Sequence, residues 1–330
     1  MSAPVTAHSP RVALSVGLAL TATLAGGWLV RAQGYGGLPL LATEAALILL
    51  LLPYFLLGLT DLDDRLQRWL ADRPVRIFPL AGMFLVPYLI YALGTGTLAP
   101  RALVILILFI FFPTGCLYLT RRTASTLTWL DVVAILAIWL PFDFRWVRTI
   151  WTWPQGMAAY TMNTILAVDL AVLLFVAFRR LDGVGYRFRL RRRDLSPLWM
   201  NFLSFAVIAI PIGLATGFIR FHPHSDLFRF LGSAAGIFLL VGLPEELLFR
   251  GIIQNFLQKT LHRQGLALMT TALIFGAAHL NNGPSPDWRY FLLATIAGLF
   301  YGRAYIQTGG LMTPACIHAL VDAVWGAFFT

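Results

Sequence analysis

The chain has 330 residues, of which 58% are hydrophobic, 14% aromatic and only 12% charged, against roughly 25% charged in a soluble globular domain. That balance excludes an ordinary water-soluble enzyme. The formal net charge of +10 comes from 24 Arg and a single Lys, Lys259, set against 12 Asp and three Glu: Glu44, Glu245 and Glu246. A helix crossing a bilayer needs about 20 mostly apolar residues, and here apolar runs follow one another almost without pause. The expected fold is therefore all-α, a polytopic integral membrane bundle of about ten or eleven spans. A membrane barrel would need alternating segments about half as long.

In chain order, the first apolar run lies between Arg11 and Arg31 and covers Val12 to Val30. It is longer than the core of a cleaved leader, so it reads as an anchor. Further spans are expected at Leu38 to Thr60, Ile77 to Thr95, Ala102 to Thr120, Leu127 to Phe142 and Met157 to Phe178. The C-terminal spans follow at Leu198 to Ile219, Phe230 to Leu257, Leu266 to Leu280, Tyr290 to Ile306 and Gly310 to Phe329. With the N-terminus inside, 16 basic residues fall in inside segments and seven in outside ones, while Arg250 and Arg303 lie within spans. Basic residues favour cytoplasmic loops, so the expected location is the cell membrane, that of a bacterial inner membrane, with the N-terminus cytoplasmic. The stretch from Arg179 to Arg193 holds seven Arg. It reads as a topogenic loop ahead of a nucleic-acid or anionic-lipid site, and no nucleic-acid partner is expected. It is also the natural seam, separating residues 1–195, with about six spans and no assigned role, from a C-terminal membrane domain at 196–330. Cys116 and Cys316 sit within spans without CxxC spacing and read as packing residues.

An ionisable side chain inside a span is costly and marks function or a buried pair. Glu44, Asp131 and Asp169 are isolated, one to a span, and are expected near an interface or bonded to a neighbouring helix. The C-terminal group differs, because it carries Glu245, Glu246 and Arg250 on one span, His279 on the next, and His318 and Asp322 on the last. At a rise of about 1.5 Å per residue, Glu245, His279, His318 and Asp322 fall about 19, 21, 13 and 19 Å from the inner ends of their helices. Four polar residues from three helices thus share one slab near mid-membrane. Glu246 and Arg250 are i,i+4 and can pair, whereas Glu245 is turned about 100° away. A free carboxylate beside imidazoles suits a general base, a proton relay or a metal site. A buried network that only locks the helices is the plainer alternative.

The residues Glu245-Glu246-Leu-Leu-Phe-Arg250, Phe275-Gly-Ala-Ala-His279 and His318-Ala-Leu-Val-Asp322 resemble, in order, the EExxxR, FxxxH and HxxxN/D motifs of the CAAX protease and bacteriocin-processing family. These are intramembrane proteases that include CAAX prenyl endopeptidases. The resemblance covers about residues 228 to 328. It implies peptide-bond hydrolysis at or within the membrane: Glu245 activating water with help from His279, His318 and Asp322 stabilising the oxyanion or orienting the carbonyl, and Glu246, Arg250 and Phe275 in support. Family members have been described both as metalloendopeptidases and as metal-independent glutamate-type proteases. Glu245, His279 and His318 with a water would make an open Zn2+ site, yet there is no HExxH helix, and metal independence ranks slightly ahead. An ionised Asp322 cannot donate to an oxyanion as an Asn would.

The resemblance implies a membrane-associated peptide or protein as substrate. The high Arg to Lys ratio suggests a GC-rich bacterial genome, where a prenylated CAAX protein is not the obvious target. Two other classes stay open: a non-catalytic membrane scaffold or immunity protein with the same fold, and an ion- or proton-coupled transporter. Against the transporter stands the lack of an inverted second set of charged spans in the N-terminal half.

Overall fold

The structure is a computed structural model and describes residues 9–120, 126–223, 226–282 and 286–330. Arg121 and Arg122, counted in an expected inside loop, lie outside the described residues. The described chain is all-α, a polytopic helical bundle; its only backbone pairing between extended residues is an isolated antiparallel bridge from Phe221 to Phe329. It divides into two compact units, one ending at Leu181 and one running from Asp182 to Thr330 together with Thr126 and Leu127.

The first unit contains α1 (Ser9–Arg31), α2 (Gly37–Leu59), α3 (Leu62–Asp72), α4 (Ile77–Gly82), α5 (Leu85–Thr95), α6 (Pro100–Thr120), α7 (Trp129–Asp143) and α8 (Met157–Ala171). A π-helical stretch, Val172–Phe178, continues α8. Five runs here are long and apolar enough to cross a membrane: 10–31, 37–59, 74–95, which joins α4 and α5, 100–120, and 157–178, which joins α8 and the π-helical stretch. The start of α7 is fixed by a capping box, in which Asp131 N–H donates to Thr128 Oγ1 at 3.2 Å and Thr128 N–H donates to Asp131 Oδ2 at 2.9 Å. Trp151 is fully buried, packed against the rings of Tyr88 and Tyr91. Its indole N–H donates to Asn163 Oδ1 at 2.9 Å, so this large polar-tipped side chain is satisfied inside the unit.

The isolated acids of this unit separate into three cases. Glu44 pairs with Arg31 across α1 and α2 at 2.8 Å. Asp131 is buried against Arg179 at 2.9 Å, as expected of a carboxylate bonded to a neighbour. Asp169 departs from that expectation: it is fully buried, and neither carboxylate oxygen has a hydrogen-bond partner among the described residues.

The second unit contains α9 (Leu195–Ala215), α10 (Leu227–Ile237), α11 (Leu243–Glu246), α12 (Asn255–Leu261), α13 (Gln264–Ala278), α14 (Trp288–Thr308) and α15 (Met312–Phe328). Asp226 caps α10 by accepting from Arg229 N–H at 2.9 Å, and Asp287 caps α14 in the same way through Arg289 N–H at 2.9 Å. Helices α10 to α12 join through two π-helical stretches, Phe238–Gly242 and Leu247–Gln254, into one run of 35 residues. That run and 192–215 bring the long apolar helices to seven. The other expected spans are also helical, but α7, α13 and α15 have only 15, 15 and 17 residues. Helix α14 is long enough yet carries Arg289 and Arg303. Length and composition alone do not carry these four across a membrane.

The compact units part at Leu181, ahead of the seam expected at 195. The cause is visible in the backbone: the segment after Leu181 is bonded to the second unit, with Asn255 Nδ2 donating to Asp182 O at 2.8 Å and Leu311 N–H to Gly185 O at 3.1 Å.

Candidate functional site

The Glu245-Glu246 pair sits at the end of α11, between the two π-helical stretches. A π turn replaces the i→i+4 ladder by i→i+5 bonds and is common where a helix must re-aim its side chains. Consecutive helical residues are rotated by about 100°, and the pair separates accordingly. Glu246 is completely buried, whereas the side chain of Glu245 keeps 32% exposure. Gly242 makes the close approach to α15 possible, because a Cβ there would lie 2.9 Å from the Ala315 carbonyl oxygen.

Around Glu246 the buried polar groups form a chain. Arg250 Nε lies 3.0 Å from Glu246 Oε2, both side chains fully buried. The geometry is that of an ion pair rather than an aligned hydrogen bond, since neither atom finds a hydrogen-bond partner among the described residues. The guanidinium is held otherwise by donation from Nη2 to Gly298 O at 3.2 Å, and by the face of Phe275 with the ring centroid 4.4 Å from Cζ. The second oxygen of Glu246 lies 2.9 Å from His318 Nδ1. An ionised carboxylate only accepts, so Nδ1 carries the proton and Nε2 is turned away from Glu246. Nε2 lies 3.5 Å from Asp322 Oδ2 and 3.9 Å from Glu245 Oε2. The two carboxylates that His318 faces are each about one-third exposed, 34% and 32%. Glu245 Oε2 itself is a buried atom without a hydrogen-bond partner.

His279 stands at the C-terminus of α13, its Nδ1 2.7 Å from Phe275 O. A carbonyl only accepts, so this bond puts the proton on Nδ1 and leaves Nε2 as the nitrogen with the lone pair. Its ring packs on Phe275 at 4.5 Å and on Tyr290 at 5.1 Å. Of the residues expected at the site, Glu245, Glu246, Arg250, His318 and Asp322 form one connected group. Phe275 ties His279 to that group through edge contacts with His318 at 5.9 Å and its own contact with Arg250. No ion pair or hydrogen bond joins His279 to Glu245 among the described residues.

The alternative metal set of Glu245, His279 and His318 is not assembled. Among the described residues no group of three His, Cys, Asp or Glu is placed to hold a metal ion. Of this set, His318 Nε2 and Glu245 Oε2 lie 3.9 Å apart.

Sequence reasoning missed Tyr301. Its ring lies nearly parallel to His318, 4.9 Å between centroids and 20° between planes, and it is almost completely buried. It also missed the double duty of Glu246, which engages His318 as well as Arg250. Neither has a local spacing signal, since Tyr301 is on α14, the one helix of this group without a motif residue. The hint lay in Ala297, Gly298 and Gly302, small residues that let α14 approach its neighbours.

A family model described as type II CAAX prenyl endopeptidase Rce1-like matches residues 227–324. That interval holds all of the connected group. Among relatives, the uncharacterized protein YpbD of Bacillus subtilis (strain 168) is 30% identical over 145 residues, 40% of this chain and 69% of that protein. An uncharacterized 24.3 kDa protein of Escherichia coli is 38% identical over 88 residues, which span 25% of this chain and 37% of that protein. No solved structure matches the chain significantly. Through residues 227–324, this multi-pass membrane protein belongs to the CAAX protease and bacteriocin-processing family of CAAX-type endopeptidases.

Proposed function

We propose that the chain is an intramembrane endopeptidase that hydrolyses a peptide bond in a membrane-associated peptide or protein, using Glu245 as general base. The observation that carries this reading is the chain Arg250, Glu246, His318, which ends on Nε2 beside two carboxylates about one-third exposed. A purely structural network would close on itself, and this one stops at an orphaned oxygen, Glu245 Oε2. Such an atom is where a water belongs.

In the proposed reaction a water held by Glu245 gives up a proton to that carboxylate, with His279 Nε2 assisting, and its oxygen attacks the scissile carbonyl carbon. The carbonyl oxygen becomes an oxyanion. His318, with both nitrogens protonated, donates to it from Nε2 while Nδ1 stays on Glu246. Asp322 is an acceptor and cannot stabilise an oxyanion directly; its part is to hold the imidazolium. Collapse of the tetrahedral intermediate breaks the C–N bond, and the proton taken up by Glu245 passes to the leaving amine. A bacterial cell membrane with the N-terminus cytoplasmic accords with the distribution of arginines.

The test is incubation of wild type and Glu245→Ala with a library of membrane-proximal peptides, followed by mass spectrometry of new termini. Cleavage by wild type alone is expected. Cleavage that persists in Glu245→Ala removes Glu245 from the mechanism, and the absence of cleavage by both removes the endopeptidase reading.

A further inference from the structure

The Arg-rich segment contributes nothing to the site chemistry, yet it is not a slack loop. Gly185 has φ +74°, and a Cβ there would lie 2.8 Å from Gly310 Cα, so only glycine seats the segment against the α14–α15 turn. A Cβ on Gly251 would meet Val184 at 2.9 Å. The Tyr305 hydroxyl and Lys259 Nζ both donate to this stretch, to Gly183 O and Asp182 O, in addition to the bonds from Asn255 and Leu311. Successive i→i+2 bonds, Arg187 N–H to Gly185 O and Arg189 N–H to Arg187 O, both 2.8 Å, then fold it into repeated tight bends. Arg191 N–H donates to Asp194 Oδ2 at 2.8 Å and closes the segment onto α9.

On this platform Arg189, Arg191, Arg192 and Arg193 are exposed, and Arg263 is exposed on the neighbouring α12–α13 turn. Arg193 is 3.9 Å from Asp194, whereas Arg189, Arg191 and Arg192 have no carboxylate within ion-pairing distance among the described residues. The patch adjoins apolar side chains that face outward on and before α9: Leu190, Leu195, Trp199 and Leu203. Cations beside an outward apolar helix face sit at headgroup depth when that face meets acyl chains.

We propose that Arg189, Arg191 and Arg192 form a preorganised docking site for the phosphate of an anionic phospholipid. Guanidinium forks match phosphate oxygens bidentately, and fixing the backbone beforehand lowers the ordering cost of binding. The lipid, rather than free phosphate, is the occupant because its acyl chains cover the apolar residues next to the patch. The segment is bonded to α12, α14 and the start of α15, so the lipid would brace three helices that carry or adjoin the site.

The experiment reads lipid retention and does not depend on catalysis. Wild type, Arg189→Gln/Arg191→Gln/Arg192→Gln, and the charge-matched Arg65→Gln/Arg68→Gln/Arg73→Gln are reconstituted in nanodiscs of equal phosphatidylglycerol and phosphatidylcholine. Retained lipid is then counted by native mass spectrometry. Wild type is expected to enrich phosphatidylglycerol by about fivefold per engaged arginine, with the enrichment falling as NaCl rises. The loop variant should fall toward parity and the charge-matched variant should keep the wild-type value. Equal retention of both lipids by wild type, or equal loss in the two variants, overturns the proposal. Displacement of the lipid by millimolar inorganic phosphate overturns the lipid as occupant. Should the loop variant fail to fold, Arg191→Gln alone and the wild-type salt series decide the same point.

Discussion

Each unit of the molecule contains a buried arginine–carboxylate pair, and the two are built to different ends. In the first unit Asp131 meets Arg179 with both Nε and Nη2 of the guanidinium, at 2.9 and 3.2 Å, while its Oδ2 also accepts from the backbone N–H and hydroxyl of Thr128 at a helix start. In the second unit Glu246 meets Arg250 without an aligned hydrogen bond and spends its other oxygen on His318. The first pair is hydrogen-bonded through both carboxylate oxygens and fastens a helix start. The second is under-bonded and passes its charge to an imidazole that faces two partly exposed carboxylates. A buried ion pair is therefore uninformative by itself, and what separates structure from chemistry is where its spare bonding capacity leads.

The sharpest way to separate the two is to remove the end of the second chain. Glu245→Ala should lower peptide cleavage by about 10^2 to 10^4-fold, the range for losing a general base, with little change in the thermal midpoint. An equal loss of midpoint would make Glu245 structural. Asp131→Ala removes a buried carboxylate that meets Arg179 at 2.9 Å and fastens the start of α7, and should cost about 3–5 kcal/mol of stability, read as a lowered denaturation midpoint. Cleavage per folded molecule should survive, and its loss would collapse the distinction between the pairs. Glu246→Gln keeps shape but takes the charge from Arg250 and His318. About 10^2-fold in cleavage should go, again within the range for a perturbed acid–base group, and a second change, Arg250→Met, should then have a less-than-additive effect because both act through one network. Tyr301→Leu removes the stacked ring at His318, worth about 0.5–1.5 kcal/mol for an aromatic pair. It should change cleavage by about tenfold or less, while Tyr301→Phe keeps most of the activity.

The all-α membrane architecture and the residues of the second network were legible in the sequence, because apolar runs set the helices and the scarcity of carboxylates made Glu245 and Glu246 conspicuous. The spacing also anticipated that the two would face apart and that Glu246 could reach Arg250. Three things were not legible. The bond from Glu246 to His318 joins residues 72 positions apart, and no local periodicity reports such a contact. The orientation of His279 is fixed by a backbone carbonyl, which has no residue signature. The seam at Leu181 depends on glycines that admit close packing, and these look like ordinary loop residues until their neighbours are known.

The π-helical stretch Leu247–Gln254 has a consequence in terms of sequence length. Such a stretch is an α-helix that holds a surplus residue. In a regular α-helix one extra residue would turn everything downstream by about 100°. The π stretch takes up that residue instead, and Asn255 and Lys259 both donate to the Asp182 carbonyl beyond it. The stretch thus lets the helix change its residue count next to Glu246 while the residues after it keep their phase.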